Sequence, residues 1–196
     1  MISLRKYWEP RAKDGVVLLS KADRGKFDGP KKPSSVYGEI LEEGMDAILA
    51  ELPRNEGTFI DLGSGKGHLP AYVGLNYGYS RSIGIELSTV RCEIGREIIK
   101  TVPHDLSNVE YHNDDFMNFD FTRFDTLFTN NCAFTNEFGS NFIRKINREI
   151  KVGAFFICNQ WVPDMSQIPR LEPYANIKVA SSWMNNCPIY IFEATH

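Results

Sequence analysis

Apolar residues recur along this chain with two different spacings. Between Val36 and Leu52 they fall three or four positions apart, which is typical of one face of an α-helix, with Ser35 as the N-cap and Pro53 at the end. The second pattern is a series of short, nearly continuous apolar runs, which predict strands buried on both faces of a sheet. These runs lie at residues 58–62, 82–87, 109–112, 126–130, 154–159, 177–181 and 189–194.

Helical spacing alternates with the first five runs, at residues 69–77, 88–102 and 137–150. Parallel strands are joined by helical crossovers, so this alternation predicts a doubly wound α/β sheet. The last two runs add two consecutive strands without a long helix between them. The proline-containing segment 161–174 is predicted to be a loop.

The first 34 residues differ in composition from the rest of the chain. They alternate charged residues with Gly and Pro, which predicts a basic N-terminal arm (residues 1–34), ordered only where it docks, in front of one domain (residues 35–196). Residues 1–32 hold nine Lys or Arg against four Asp or Glu, so they carry +5 and the remaining residues −8, for a total of −3. A basic arm on an acidic body predicts contacts with a polyanion such as DNA phosphate, and a solvated leader is the alternative.

Composition excludes several classes of protein. A chain of 196 residues that is 42% hydrophobic and 24% charged can bury a core as one domain, so a disordered chain is excluded. We find neither an apolar stretch of about 18 residues nor the pattern of an N-terminal signal peptide. We therefore expect an intracellular protein that is neither secreted nor membrane-spanning.

The cysteines and histidines indicate no metal site. The four cysteines lack the paired spacing of zinc ligands and lie in apolar surroundings, so we expect reduced, buried thiols. The four histidines also lack ligand spacing and are expected at the surface or in turns. In chain order these residues are Cys92, Cys132, Cys158 and Cys187, and His68, His104, His112 and His196.

A glycine-rich turn follows the first predicted strand. The strand ends at Asp61, and the turn runs through Gly63, Ser64, Gly65 and Gly67. Glycines in a strand-to-helix turn allow the backbone to approach a ligand closely at the carboxyl edge of a parallel sheet. By itself this turn is compatible with a nucleoside, with a dinucleotide, or with turn geometry that binds nothing.

Acidic residues also lie at the ends of the second and third predicted strands, and they indicate what kind of ligand the turn binds. Glu86 ends the second strand about twenty residues after the turn, where a carboxylate can accept hydrogen bonds from ribose hydroxyls. Asp115 follows the third strand and can receive an adenine amino group while Phe116 packs nearby. Together with Asp61, these residues indicate a cofactor that contains adenosine.

The spacing of the glycines distinguishes two such cofactors. A nicotinamide dinucleotide prefers GxGxxG and brings a pyrophosphate that Asp61 would repel, whereas the pattern here is GxGxG. S-adenosylmethionine brings an ammonium and a sulfonium group, which Asp61 attracts. We therefore favour S-adenosylmethionine, with S-adenosylhomocysteine as the product. Exposed acids that only cap turns are the alternative.

The motif Asn-Asn-Cys-Ala-Phe closes the fourth predicted strand, at residues 130–134. Together with VYGE at residues 36–39 and DLGSGKG at residues 61–67, it closely resembles the disruptor-of-telomeric-silencing histone H3 lysine methyltransferases, a non-SET family. The match continues through the motifs GIEL, DF and SW and spans about residues 36–192. The resemblance implies a Rossmann-like class I S-adenosylmethionine-dependent methyltransferase fold, with a seven-stranded, mostly parallel sheet flanked by helices.

The resemblance also implies roles for individual residues. Asn130 would lie beside the transferring methyl group. Phe134, Trp183 and Tyr190 would line a narrow channel for the target lysine. The residues expected to bind the donor are Tyr37, Glu39, Asp61, Gly63, Ser64, Gly65, Gly67, Glu86, Leu87, Asp115, Phe116 and Asn130.

These residue types suit methyl transfer to an amine. In-line displacement mainly requires that nucleophile, methyl group and sulfur are aligned. A lysine in water has a pKa of about 10.4, and aromatic channel walls disfavour its charged form by desolvation. No dedicated base is required, and Asn130 would supply an uncharged polar anchor.

The sequence departs from the family pattern outside the motifs and within the turn. The long helical region that precedes VYGE in the family is missing or reduced, and no lysine-rich extension follows, so the basic arm is expected to substitute in gripping the nucleosome. Lys66, inside the turn, is expected to point outward. We expect a core lysine of nucleosomal histone H3, in the nucleus, to be the target. The alternatives are a non-histone lysine or small amine, or a module that binds nucleosomes or nucleic acid without turnover.

Overall fold

The computed structural model describes residues 1–11, 38–159, 166 and 168–196. Most of the predicted arm and the predicted donor residue Tyr37 lie outside the described residues. The strands are β1 (Glu56–Leu62), β2 (Gly78–Ile85), β3 (Val109–His112), β4 (Thr126–Thr129), β5 (Phe155–Cys158), β6 (Leu171–Val179) and β7 (Cys187–Ala194). The α-helices are α1 (Arg5–Trp8), α2 (Glu42–Ala50), α3 (His68–Asn76), α4 (Thr89–Ile99) and α5 (Asn136–Glu149).

The strands form one seven-stranded sheet in the order β3-β2-β1-β4-β5-β7-β6. The pairs from β3 through β5 are parallel, whereas β7 runs antiparallel to both of its neighbours. This confirms the predicted fold class. It also brings the carboxyl ends of β1 to β5 to one edge of the sheet, where the predicted site residues lie.

The sheet is covered on both faces. Within β1, Ile60 packs into an apolar cluster with Phe142 and Ile146 of α5. The adjacent Phe59 packs on the opposite face with Met45 of α2, and α3 contributes to the same cluster. Successive strand residues point to opposite faces, so near-continuous apolar runs are what a doubly covered sheet requires.

Some strands begin before the apolar runs that predicted them. Strand β6 begins at Leu171, so the segment predicted as a loop contributes its last residues to a strand. Pro173 is tolerated because β6 is the edge strand, and the register of its pairing with β7 shifts at this point. Strand β2 also begins at Gly78, before the apolar run that identified it.

The predicted first helix begins later than its apolar spacing indicated. Helix α2 starts at Glu42, with Leu41 as an extended N-cap. Ile40 instead forms an isolated antiparallel bridge with Ser181, and the Leu41 N–H donates to the Ala180 carbonyl. Ile40 is thereby buried in an extended conformation, so helical spacing was misleading at this end. In the part of the chain that the structure describes, no helix is both long and apolar enough to cross a bilayer.

Candidate active site

The glycine turn lies between β1 and α3 at the carboxyl edge of the sheet. Gly63, Gly65 and Gly67 have φ angles of 89°, 57° and 77°, in the left-handed region that favours glycine. The N–H groups of Gly63 and Ser64 both donate to the Ile85 carbonyl oxygen, each at 2.9 Å. A Cβ built on Gly63 would meet no atom within 4 Å. The turn is therefore fixed to the end of β2 and leaves open space above Gly63.

Glu86 holds its carboxylate against this turn. One carboxylate oxygen accepts the Gly65 N–H at 2.9 Å and the other accepts the Ser88 N–H at 2.8 Å. The residue is buried at the end of β2. Each carboxylate oxygen can accept more than one hydrogen bond, so the oriented group remains able to accept ribose hydroxyls.

Asp61 is a buried carboxylate at the end of β1. It is 3% exposed, and none of the described residues forms a hydrogen bond or ion pair with its carboxylate. Burial first, and then the negative charges of Glu86 and Glu39, raise the pKa of Asp61 well above its usual value. A bound cation would stabilise the ionised form, so this position fits the ammonium group of an amino-acid moiety.

One further polar atom in the turn lacks a partner. Among the described residues, Ser64 Oγ is the buried side-chain oxygen for which no hydrogen bond is found. It lies over Gly84 of β2, where a Cβ would approach to 2.7 Å. Buried polar groups are normally satisfied by protein, water or ligand, so this hydroxyl adds a polar group to a ligand-binding edge. The fold, the open turn and the buried Asp61, which has no partner among the described residues, together fit S-adenosylmethionine.

Tyr111 of β3 supports the turn and was missed by the sequence reasoning. Its hydroxyl donates to the Gly67 carbonyl oxygen, and its ring would lie 2.1 Å from a Cβ on Gly67. Burial, followed by the charges of Asp61 and Cys92, raises the pKa of Tyr111 well above its usual value. The phenol therefore stays protonated and remains a donor. A single tyrosine in a strand carries no motif that could have identified this contact.

The adenine side of the predicted site is formed after β3. Asp115 is half-buried and caps the 3₁₀ turn Phe116–Asn118 by accepting the Met117 N–H at 2.8 Å. Phe116 stacks on Phe134, with ring centroids 6.0 Å apart and an interplanar angle of 29°. Phe134 also meets Phe138 edge-on at 5.0 Å. Phe134 thus packs beside the adenine-side Phe116.

Asn113 joins the ends of β2 and β3 next to this cluster. Its side-chain amide donates to the carbonyl oxygens of Glu86 and Leu87, at 2.9 and 3.1 Å. The residues after β2 and β3 that are predicted to bind the methyl donor are therefore linked by hydrogen bonds at one edge of the sheet.

Asn130 lies at the end of β4 with both ends of its amide engaged. Its Nδ2 donates to the Gly38 carbonyl oxygen at 3.0 Å, and its Oδ1 accepts from Asn159 Nδ2 at 2.5 Å. Asn159, at the end of β5, is 2% exposed. It also exchanges hydrogen bonds with Asn131, whose N–H donates to Asn159 Oδ1 at 2.8 Å. Asn159 therefore orients the amide that was predicted to face the methyl group.

Trp183 packs against the Gly38 backbone. The indole ring would be 2.6 Å from a Cβ on Gly38, although the residue itself is 41% exposed. Glu39 is held in the same place, because its N–H donates to Ser182 Oγ at 3.0 Å and its carbonyl accepts the Ser182 N–H at 2.8 Å. Residues 38 and 39 thus contact both Asn130 and the segment that contains Ser182 and Trp183.

Tyr190 lies farther along the same row of strand positions. It is the register partner of Cys158, which in turn pairs with Thr129. Its half-buried side chain packs against the same apolar cluster as Phe134. The described candidate residues therefore lie along one edge of the sheet, with Phe134 beside Phe116 and Trp183 beside Gly38.

Three predicted exposures were wrong. Lys66 is 2% exposed instead of pointing outward, and His68 is buried with its Nε2 2.8 Å from Glu42 Oε1. His68 is covered by α1, because the Trp8 ring stacks on its imidazole. Cys132 is exposed because it follows Asn131 in the loop after β4, while the other three cysteines are buried as predicted.

Comparison with protein families matches residues 30–169 to the family described as histone methylation protein DOT1. A comparison with curated proteins gives no match. Three solved structures are similar to this chain at 12–16% identity, so their likeness concerns the fold.

Solved methyltransferases share the architecture. An RNA methyltransferase from Salinibacter ruber in complex with S-adenosylhomocysteine is similar at a TM-score of 0.53 and 15% identity, covering 71% of this chain and 81% of that one. A TehB-like SAM-dependent methyltransferase from Corynebacterium glutamicum gives 0.57 and 16%, covering 80% and 89%. Geranyl diphosphate methyltransferase in complex with SAM gives 0.60 and 12%, covering 79% and 85%. Because the family match covers most of the sequence, the chain belongs to the DOT1 histone methylation family, on the class I S-adenosylmethionine-dependent methyltransferase fold.

Proposed function

We propose that this protein is an S-adenosylmethionine-dependent protein lysine N-methyltransferase that modifies a core lysine of histone H3 on the nucleosome, in the nucleus. The observation that carries the proposal is the family match over residues 30–169. The family and the fold make the protein an S-adenosylmethionine-dependent methyltransferase. The histone, the lysine and the compartment are the finer part of the proposal.

The donor is held by the acidic strand ends around the glycine turn. Asp61 binds the ammonium group, because its buried carboxylate has no cationic partner among the described residues. Glu86 accepts the ribose hydroxyls, since its carboxylate already faces the turn. Asp115 and Phe116 receive the adenine. Tyr37 and Glu39 cover the methionine end, with Tyr37 outside the described residues.

Residues that follow β4, and residues just before and within β7, bind and orient the lysine amine that accepts the methyl group. S-adenosylmethionine supplies an electrophilic methyl group on a sulfonium. The lone pair of the lysine nitrogen forms the new N–C bond as the S–C bond breaks, so the lysine must arrive uncharged. Burial among Phe134, Trp183 and Tyr190 favours the neutral amine, and the released proton goes to water. Asn130 orients the amine through an amide that Asn159 holds in place.

The basic N-terminal arm contributes affinity for the nucleosome. Residues 1–32 carry nine Lys or Arg against four acids, whereas the rest of the chain is acidic. Contacts from such an arm to DNA phosphate are independent of base sequence and sensitive to salt.

The proposal is tested by incubating the protein with nucleosomes and isotope-labelled S-adenosylmethionine and locating the label by mass spectrometry. The expected result is label on one lysine of nucleosomal histone H3, which Asn130→Ala abolishes while it keeps much of the donor binding. Label on free histones but not on nucleosomes would contradict the nucleosome as the substrate, and label on another protein or on a small amine would contradict the histone assignment. Donor binding without transfer to any of these acceptors would contradict enzymatic function and indicate a binding module.

A further inference from the structure

The N-terminal segment, residues 1–11, contacts the glycine turn directly. The Trp8 indole N–H donates a hydrogen bond of 2.8 Å to the carbonyl oxygen of Lys66, inside the turn. The Trp8 ring also stacks on the ring of His68, at a centroid distance of 5.2 Å and an angle of 30°. Trp8 and Leu4 are both buried, in one apolar cluster with residues of α3 and α4.

A buried carboxylate fixes this segment to the body of the protein. Glu42 Oε1 accepts the Leu4 N–H at 2.8 Å and lies 2.8 Å from His68 Nε2. Burial would raise the pKa of Glu42, but hydrogen bonds from His68, Ser3 and Leu4 outweigh it and lower the pKa to about 2. The carboxylate is therefore ionised at neutral pH, and the start of α1 is tied to the residue that begins α3.

A second set of contacts fixes the segment farther from the turn. The Ile2 N–H donates to Asn76 Oδ1 at 2.6 Å, and Asn76 Nδ2 donates back to the Ile2 carbonyl at 2.9 Å. Arg5 and Glu43 form an ion pair at 2.5 Å on the surface. These contacts hold the same segment without touching the glycine turn, so they provide a matched control.

The Lys66 carbonyl is confined on its other side as well. A Cβ built on Gly95 of α4 would lie 2.7 Å from this oxygen. The next carbonyl, of Gly67, accepts the hydroxyl of Tyr111. On the preceding side, the Gly65 N–H is bonded to Glu86. A shift of the Lys66 carbonyl therefore displaces the backbone that orients the ribose-binding carboxylate.

We propose that Trp8 is a positioning residue of the donor site, so that the docked N-terminal segment sets the affinity for the donor. The proposal rests on the proposed function for the identity of that donor. Trp8 acts through one hydrogen bond to the Lys66 carbonyl, which keeps the Gly65 and Gly67 amides in place. A segment that lies before the family motifs is thus part of the site.

The variant Trp8→Phe tests this role because it keeps an aromatic side chain in the cluster and removes the indole N–H. In the donor-free protein, we expect hydrogen exchange at the Gly65 and Gly67 amides to become about tenfold faster. We expect the Kd for S-adenosylhomocysteine to weaken about five- to tenfold by calorimetry, the size of one missing hydrogen bond to a buried acceptor. The rise in donor KM should exceed the change in kcat.

Two further variants separate positioning from stability. Asn76→Ala removes the two hydrogen bonds to Ile2 and should lower the Tm while leaving donor Kd and turn exchange within twofold. Gly95→Ala presses on the same carbonyl from α4 and should weaken donor binding, although alanine favours the helix.

The proposal is overturned if Trp8→Phe shows wild-type exchange and wild-type Kd. It is equally overturned if Asn76→Ala weakens donor binding as much as Trp8→Phe does. If the wild-type protein fails to bind S-adenosylhomocysteine, the proposed function fails, and the exchange rates of the turn still decide the role of Trp8.

Discussion

At the scale of single residues, the protonation state of Asp61 depends on what lies beside its carboxylate. A buried carboxylate without a cation beside it destabilises the folded chain unless it is protonated. Because the pKa of Asp61 is raised in the folded chain, the protonated carboxyl favours folding below pH 3.8, its usual pKa. This stabilisation is lost as the pH rises through the raised pKa. An ammonium ligand reverses the preference, because it favours the ionised form.

Donor binding should therefore depend on pH through Asp61. We expect affinity for S-adenosylhomocysteine to rise with pH until the pH exceeds the raised pKa of Asp61, and then to level off. Asp61→Asn should weaken binding roughly ten- to hundredfold, the range for hydrogen bonds to a charged group, and remove the pH dependence. Calorimetry across pH measures both, with the exposed Asp105→Asn as control. An unchanged pH profile in Asp61→Asn would contradict the assignment.

Asn159 should act on turnover through Asn130. Asn159→Ala leaves the Asn130 amide without the partner that orients its Oδ1, so we expect kcat to fall about tenfold while the donor Kd stays within twofold. Asn108→Ala is the matched control, since Asn108 bonds two backbone carbonyls away from the site. Equal reductions of kcat in the two variants would mean that Asn159 acts only through stability.

At the scale of elements, the ends of strands were predictable and the contacts between helices were not. Asp61, Glu86 and Asp115 follow apolar runs, so their meeting at one edge follows from parallel pairing of the strands. The contact of α1 with the glycine turn has no such signal. Trp8 and Lys66 lie 58 positions apart, and their contact depends on how α1 packs over the sheet.

The docking of α1 on α2 should be weakened in acid. The folded-state pKa of Glu42 is lowered from 4.5 to about 2, so its stabilisation is present above pH 4.5 and is lost as the pH falls toward 2. We expect the free energy of unfolding of the wild type to fall by about 1–3 kcal/mol more than that of Glu42→Gln over this window, given 1.36 kcal/mol per pKa unit.

Denaturant unfolding at several pH values measures this difference. Glu43→Gln, on the exposed face of the same helix, is the control and should track the wild type more closely. Parallel decreases of stability in acid for the wild type and Glu42→Gln would contradict the account of this carboxylate.

At the scale of the whole molecule, the alternation of strands and helices was sufficient to predict the sheet, because a doubly covered parallel sheet requires that pattern. The boundaries of elements were less predictable where the local sequence pattern was misleading. Pro173 lies within the edge strand β6, and Ile40 is extended before α2 although its spacing is helical. The buried position of His68 was missed because it depends on Trp8, in a distant segment. The burial of Lys66 was missed because no motif in the sequence indicates it. Charge and polarity normally place such residues at the surface.

The uneven charge of the chain predicts salt-dependent binding to nucleosomes. Replacing Lys31 and Lys32 with Gln should reduce the slope of log K against log salt by up to about 0.9 for each DNA phosphate that these lysines neutralise. Measurements of binding between about 50 and 200 mM salt give the slope, and Lys100→Gln, outside the arm, is the control. A slope unchanged by the arm variants would show that these lysines do not contact DNA.

The most direct test of the central claim is a calorimetric titration of the wild-type protein with S-adenosylmethionine, S-adenosylhomocysteine and a nicotinamide dinucleotide. The site built from the glycine turn, Asp61 and Glu86 predicts one-to-one binding of the first two compounds and no binding of the dinucleotide. Binding of the dinucleotide with no heat from either adenosyl compound would contradict it.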